Sequence, residues 1–308
     1  MKTILLGTDG SPASKHAAEL AAALAKATGS RLAVVSGWSL PAPTLAFASA
    51  NDVYELEEAE RERARRAVDT AVKPAEDAGV ATESQVVAAD AVDAICDEAE
   101  RVDADLVVVG SRGWSTARKL LLGSVSLAVL GHARRPVLVA RGDAPLELEQ
   151  PKILLATDGS VAADRAAALA IDLARRTGWP LHAVSVWTIS PTPASAGGSG
   201  IFPALIDLAR THAEDVLRDV AEEAAAAGVT VHWRIAGGPP AAAICEEAAD
   251  LHATLVVVGT RGWGAGKRFL FGSVSNRVVH EAGCPVLVER SVKPSRPSHD
   301  REAAAAAH

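Results

Sequence analysis

A chain of 308 residues is long enough for two domains of ordinary size, and 49% hydrophobic with 22% charged residues is the composition of a folded soluble protein. The formal net charge of −7, from 31 Lys+Arg against 38 Asp+Glu, speaks against a nucleic-acid partner, which needs a basic face. No apolar run reaches the roughly 18 residues of a membrane span, and three cysteines without C-x-x-C spacing argue against a disulfide framework or a zinc site, so no membrane role and a cytoplasmic location are expected.

In chain order, Lys2 to Thr8 is an apolar run that predicts a first strand. Asp9-Gly10-Ser11-Pro12 predicts a turn with cap residues, its proline suited to a first helical turn. Ser14 to Thr28 is alanine-rich and predicts a helix closed by Gly29. Leu32 to Ser36 predicts a second, buried strand, and Asp52 to Ala78 a long charged helix whose run from Glu55 to Arg66 reads as a solvated face. Thr82 to Val87 predicts a third strand and Val92 to Arg101 a helix. Asp105 to Val109 predicts a fourth strand; a Gly-rich window follows, then a helix to His132, and Pro136 to Ala140 predicts a fifth strand. Lys152 to Glu289 repeats the whole series.

The repeat is exact in spacing at its anchors. Asp9 and Asp158, Trp38 and Trp187, Gly79 and Gly228, Cys96 and Cys245, Gly110 and Gly259, Gly123 and Gly272, and Pro136 and Pro285 are all 149 residues apart. A period this long means a duplicated domain and not a solenoid. The expected division is a first domain over 1–141, a linker over 142–150, a second domain over 151–291 and a disordered tail over 292–308. Strands alternating with helices imply, in each domain, a doubly wound α/β fold with a parallel sheet covered on both faces.

Chemistry is concentrated in the Gly-rich windows. Gly110 to Ser124 and Gly259 to Ser273 both fit G-x2-G-x9-G-S, each just after an apolar strand. Neither window holds an Asp or Glu, and each carries three cations: Arg112, Arg118 and Lys119 in the first, Arg261, Lys267 and Arg268 in the second. Gly110, Gly113, Gly259 and Gly262 would let the backbone pass close to a ligand. Gly123-Ser124 and Gly272-Ser273 precede helices whose first N–H groups can meet phosphate oxygens, with Arg112 and Arg261 reaching in from the rim. A single window of this kind is as readily a turn before a helix; the second copy, the cations and the Asp loops favour an anion site. Asp9 and Asp158 suit either an N-cap or the amine and hydroxyl end of a ligand. The Walker A pattern G-x-x-x-x-G-K-[ST] and the fingerprint G-x-G-x-x-G at the first strand are both missing, which disfavours P-loop motors and dinucleotide oxidoreductases. Cys96, Cys245 and Cys284 read as structural, and no histidine is assigned as ligand or base.

These motifs resemble the universal stress protein family, over about 1–141 and 151–291, as a tandem member. The resemblance implies five-stranded, Rossmann-like domains of strand order 3-2-1-4-5, with ATP at the switch point, or ADP or AMP in its place, and Mg2+ arriving with the phosphates. It implies that Asp9 and Asp158 contact the adenosine end, and that Gly37 and Val186 offer backbone to adenine. Gly110 and Gly259 would approach the ribose; Gly113, Gly123, Ser124 and Val125, with Gly262, Gly272, Ser273 and Val274, would hold phosphates. It also implies pairing of the two fifth strands within the chain as a pseudo-dimer, with a further homodimer left open. One departure stands out: family members often carry G-x-P before the helix after strand 3. The second half has Gly238-Pro239-Pro240, whereas the first has Ala89-Asp90-Ala91. Two sites of unequal affinity are therefore expected.

Three functions compete. The leading one is an ATP-binding regulator of the stress response that acts through an unnamed protein partner. A slow ATPase or self-phosphorylating enzyme is the second; the windows contain no acid or histidine to act as general base, so no catalytic residue is assigned, and Ser124, Ser126, Ser273 and Ser275 are candidate acceptors only. The third is a nucleotide-free scaffold.

Overall fold

The computed structural model describes residues 1–40, 49–111, 122–141, 149–188, 201–260 and 272–290. The first half runs β1 (Thr3–Gly7), α1 (Pro12–Thr28), β2 (Arg31–Trp38), α2 (Ala50–Asp77), β3 (Thr82–Ala88), α3 (Ala91–Arg101), β4 (Leu106–Gly110), α4 (Ser124–His132) and β5 (Val137–Ala140). The second runs β6 (Ile153–Ala156), α5 (Val161–Thr177), β7 (Leu181–Trp187), α6 (Ile201–Ala226), β8 (Val231–Gly237), α7 (Pro240–Asp250), β9 (Leu255–Gly259), α8 (Ser273–Glu281) and β10 (Val286–Glu289). The expected linker residues 142–148 and tail residues 291–308 lie outside the described residues.

All ten strands join one sheet in the order β3-β2-β1-β4-β5-β10-β9-β6-β7-β8. Each half therefore has the order 3-2-1-4-5. Pairing is parallel throughout, except where β5 meets β10 antiparallel. Strand alternation splits the core into two layers. Leu6, Leu32, Val108, Leu138 and Leu287 pack under α1, α2, α5 and α6; Leu5, Val35, Val107, Val139 and Val286 pack under α3, α4, α7 and α8. Both layers run unbroken from one half into the other.

The seam is self-complementary. Leu138 pairs with Leu287, its own repeat equivalent, while Val137 pairs with Val288 and Val139 with Val286. A pseudo-two-fold axis thus passes between the two leucines. Two short apolar edges, each a liability when exposed, cover one another.

Local chemistry explains the element ends. Pro12 opens α1 and Gly29 closes it in the left-handed region at φ 67°. Ser49 and Asp52 form a capping box at the start of α2. The charged face of α2 carries ion pairs Glu58–Arg61, Glu60–Arg63 and Glu62–Arg66, all solvent-exposed. Cys96, Cys245 and Cys284 are free thiols packed against the second core layer, and burial pushes the Cys284 thiol up to about 12.

The histidines show no shared spacing between the halves, yet two of them meet. His182 on β7 and His232 on β8 are register partners whose rings stack with centroids 5.2 Å apart. Burial, then the neighbouring His232 and Lys152, hold the His182 imidazole below its ordinary value of 6.5.

Two predictions follow from this packing. Leu287→Ala, like Leu138→Ala, is expected to lower the unfolding free energy by about 2–5 kcal/mol in urea titrations, because each removes a fully buried seam side chain. The folded state takes up the His182 proton less readily than the unfolded chain does. The stability this contributes is present above pH 6.5 and lost as pH falls through the folded value. His182→Gln should flatten that acid limb in melting temperatures measured between neutral and mildly acidic pH; an unchanged limb would refute the assignment.

Candidate functional site

The loops after β1 and β6 have the same hydrogen bonding. Thr8 Oγ1 accepts from the Gly10 N–H at 3.3 Å, and Thr157 Oγ1 from that of Gly159 at 3.3 Å. The Asp9 carboxylate accepts from the Ser11 N–H at 3.0 Å, and the Asp158 carboxylate from that of Ser160 at 3.1 Å. Gly10 and Gly159 sit at φ 75° and 70°, where a side chain would be strained. The N-caps are Ser11 and Ser160, whose hydroxyls accept from Ser14 and Ala163. The N-cap reading of Asp9 and Asp158 is therefore corrected. Each closes an Asx turn from two residues before the cap, and each remains exposed at the sheet edge.

β1 and β4 are paired neighbours, as are β6 and β9, so the Asp loop and the motif window leave the same edge side by side. This is the switch point of each half. Gly110 touches the Asp loop's helix directly. A Cβ on Gly110 would lie 2.8–2.9 Å from backbone atoms of Ala13 and Ser14; one on Gly259 would lie 2.6–3.0 Å from those of Ala162 and Ala163. Close packing of α1 on β4, and of α5 on β9, is thus a requirement on these glycines whether or not a ribose comes near.

The motif's far end starts a helix. Gly123 is the N-cap of α4 and Gly272 that of α8, and neither helix has a side-chain cap. Sequence alone left the glycine N–H groups unpaired. The structure differs: the Gly123 N–H donates to the Ser111 carbonyl at 2.8 Å, and that of Gly272 to the Thr260 carbonyl at 2.6 Å. These bonds tie each helix start back to the second residue of its own motif. The donors facing outward are then the N–H groups of Ser124 and Val125, with Ser273 and Val274 in the other half, all four residues exposed. Ser126 Oγ donates to the Gly110 carbonyl at 2.6 Å, and Ser275 Oγ to that of Thr260 at 3.2 Å. Both serines are buried, which removes them as phosphoryl acceptors. Thr260 is 3% exposed, and its hydroxyl is, among the described residues, the one buried side-chain polar atom with no hydrogen-bond partner. Arg112, Gly113, Arg261 and Gly262, with the tryptophans and remaining cations of the windows, lie outside the described residues.

The halves differ at the end of their second strands. The space beside Gly37 is filled: a Cβ there would lie 2.8 Å from Ala94 Cβ and 2.9 Å from the Ala89 carbonyl oxygen. In the first half the loop into α3 is closed against the strand and capped by Asp90. In the second, Val186 holds the equivalent place, Gly238 turns at φ 118°, and Pro239 gives α7 no side-chain cap. The G-x-P difference therefore corresponds to a different backbone beside the site.

Several residues were not found by sequence reasoning. Arg141 and Arg290, just beyond β5 and β10, bond across the seam to helices of the opposite half. Glu289, the register partner of Gly259, is buried and pairs with Arg165 at 3.4 Å; burial raises its pKa and Arg165 opposes the shift. Their counterparts in the first half are Ala140 and His16. An acid closing an apolar strand, and two arginines 149 residues apart, were the available signals. Among the described residues no group of His, Cys, Asp or Glu is placed to hold a metal.

Comparison with known proteins matches the family model "Universal stress protein family" twice, over residues 1–141 and 151–290. A universal stress protein of Mycolicibacterium smegmatis is 34% identical over 245 residues, covering 76% of this chain and 79% of that one. One from Mycobacterium tuberculosis is 31% identical over 238 residues, covering 75% and 77%. The crystal structure of a universal stress protein from Archaeoglobus fulgidus superposes with a TM-score of 0.70 at 27% identity, covering 94% of this chain and 98% of that one.

The glycine contacts yield a prediction independent of any ligand. Gly110→Ala and Gly259→Ala should each destabilise the protein by about 1–3 kcal/mol, since backbone must move to admit the methyl group. Gly131→Ala, in α4 with open space around it, should instead be neutral or stabilise by about 0.5–1 kcal/mol. Denaturant midpoints for the three variants decide the matter.

Proposed function

Because the chain belongs to the universal stress protein family, we propose that it is a regulator that binds an adenine nucleotide, ATP first and ADP or AMP as alternatives, at the switch point of each half. The observation that carries the reading is the pair of helices α4 and α8. Each starts on the Gly-Ser of its motif without a side-chain cap, at the sheet edge beside an Asp loop. The partial positive charge of a helix N-terminus favours phosphate there, and the unpartnered Thr260 hydroxyl fits a phosphate-side contact in the second half.

On this reading Ser124, Val125, Ser273 and Val274 hold phosphates with their N–H groups, beside Gly123 and Gly272, helped by Arg112, Gly113, Arg261 and Gly262. Asp9 and Asp158 bond the adenosine hydroxyls or amine. Gly37 and Val186 offer backbone to the base, while Gly110 and Gly259 pass beneath the ribose. Mg2+ comes with the phosphates and neutralises their charge. The backbone difference at Gly37 and Val186 supports unequal affinities, the second site being nearer the family pattern. A protein partner would read occupancy. Exposed Tyr54, Leu56, Leu205 and Leu208 support this, since they precede Ala64 and Ala213, the first buried residues of α2 and α6 among those whose burial is described. No helix among the described residues is long and apolar enough to cross a membrane; the reading sets the protein in the cytoplasm, where ATP is supplied.

Calorimetric titration of the intact chain with Mg-ATP is expected to show two sites. Ser273→Asp places a carboxylate at the start of α8, which suits the helix dipole but repels phosphate. It should weaken one site by about tenfold or more, equivalent to at least about 1.4 kcal/mol, with the melting temperature kept. Ser124→Asp should do the same to the other site, and equal affinities of the two surviving sites would refute the asymmetry. If the intact chain binds none of ATP, ADP and AMP, the nucleotide reading fails and the scaffold reading replaces it.

A further inference from the structure

The antiparallel seam sets the two halves head to tail. The carboxyl edge of one half, where its candidate site lies, is level with the amino edge of the other. Helices α4 and α8 start at the carboxyl edge of their own half, so each ends near the opposite half's last strand. There they meet an arginine. Arg141, next after β5, donates from Nη1 to the Val279 carbonyl in the last turn of α8. Arg290, next after β10, donates from Nη1 to the Leu130 carbonyl of α4 and from Nη2 to that of Gly131 at 3.1 Å. Arg141 and Arg290 are 149 residues apart, as are Leu130 and Val279, so this is one contact made twice about the pseudo-two-fold axis.

The physical consequence is positional. A guanidinium at a helix C-terminus satisfies orphan carbonyls and meets the negative end of the dipole. α4 and α8 are nine residues each, about 14 Å at 1.5 Å per residue, and rigid on that scale. Holding one end fixes the direction of the N–H groups at the other. In the first half the connection continues back to the motif. The Ser111 N–H donates to the Ala140 carbonyl at 3.0 Å, and the Ser111 carbonyl accepts from the Gly123 N–H at 2.8 Å. The strand end that carries Arg141 is thus bonded to its own motif on one side and to the other half's helix on the other.

We infer that the two candidate sites are coupled across the seam, the arginine of each half being the positioning residue for the phosphate-binding helix of the other. The inference rests on the nucleotide reading above. Filling one site fixes its motif, and with it the strand end from which the arginine reaches across; by linkage, the effect on the second site is reciprocal.

The test is crosswise and uses the full chain. With the second site blocked by Ser273→Asp, Arg290→Met is expected to weaken Mg-ATP binding at the first site about fivefold or more, whereas Arg141→Met leaves it within about twofold. With the first site blocked by Ser124→Asp, the two arginine variants exchange their effects. A purely structural role lowers both sites together, and so overturns the inference, as does binding untouched by either arginine. Arg290→Lys keeps the cation at the helix end, should restore part of the affinity, and serves if the methionine variant does not fold. Absence of ATP binding by the unsubstituted chain overturns the nucleotide reading and the inference with it; binding without the crosswise exchange overturns the inference alone.

Discussion

Three residue couples, Val137–Val288, Leu138–Leu287 and Val139–Val286, govern the architecture of the rest of the molecule. Without them each half would end in a short, largely apolar edge strand with unpaired backbone groups. With them, two five-stranded sheets become one of ten strands, and two core layers run through without interruption. The antiparallel sense of this one junction also sets where everything functional lies. Parallel strands put their carboxyl ends on one edge, and reversing direction at the seam sends the two switch points to opposite edges. No small ligand can bridge them, so any communication must pass through protein.

The local structure at each switch point serves packing and a candidate ligand at once. Gly110 and Gly259 admit a helix backbone that any side chain would displace. Ser126 and Ser275 use their hydroxyls to tie the motif helices to carbonyls at the ends of β4 and β9. What is left facing outward is a helix start without a side-chain cap, beside an exposed carboxylate. That pairing suits a ligand with an anionic end and a hydrogen-bonding end. The Thr260 hydroxyl is buried and has no hydrogen-bond partner among the described residues, a feature of the second half alone.

Much of this was legible in the sequence because it is local or periodic. The apolar runs gave the strands, Pro12 and Gly29 bounded α1, and the fixed offset of 149 residues disclosed the duplication. The strand order came from the family resemblance and not from periodicity. What stayed hidden depends on contacts between residues distant in the chain. Nothing near Gly110 announces that Ala13 lies against it. Ser11 and not Asp9 caps α1, a distinction between neighbouring polar residues that turn chemistry alone does not make. Ser126 reads as an available hydroxyl until the Gly110 carbonyl is placed above it. Arg141 and Arg290 read as the polar margins of a linker and a tail, since their partners belong to the other half.

A pair of domains assembled from two identical chains must accept every mutation twice, once on each side of its axis. Joining the halves in one polypeptide removes that rule. Gly37 beside its Ala89 loop can face Val186 beside its Gly238 turn, and a buried Glu289 paired with the exposed Arg165 can stand where the other half keeps Ala140 and His16. The seam preserves the geometry of a symmetric dimer while each side is free to drift. Selection can then change one switch point without touching the other, an option closed to any homodimer built on the same fold.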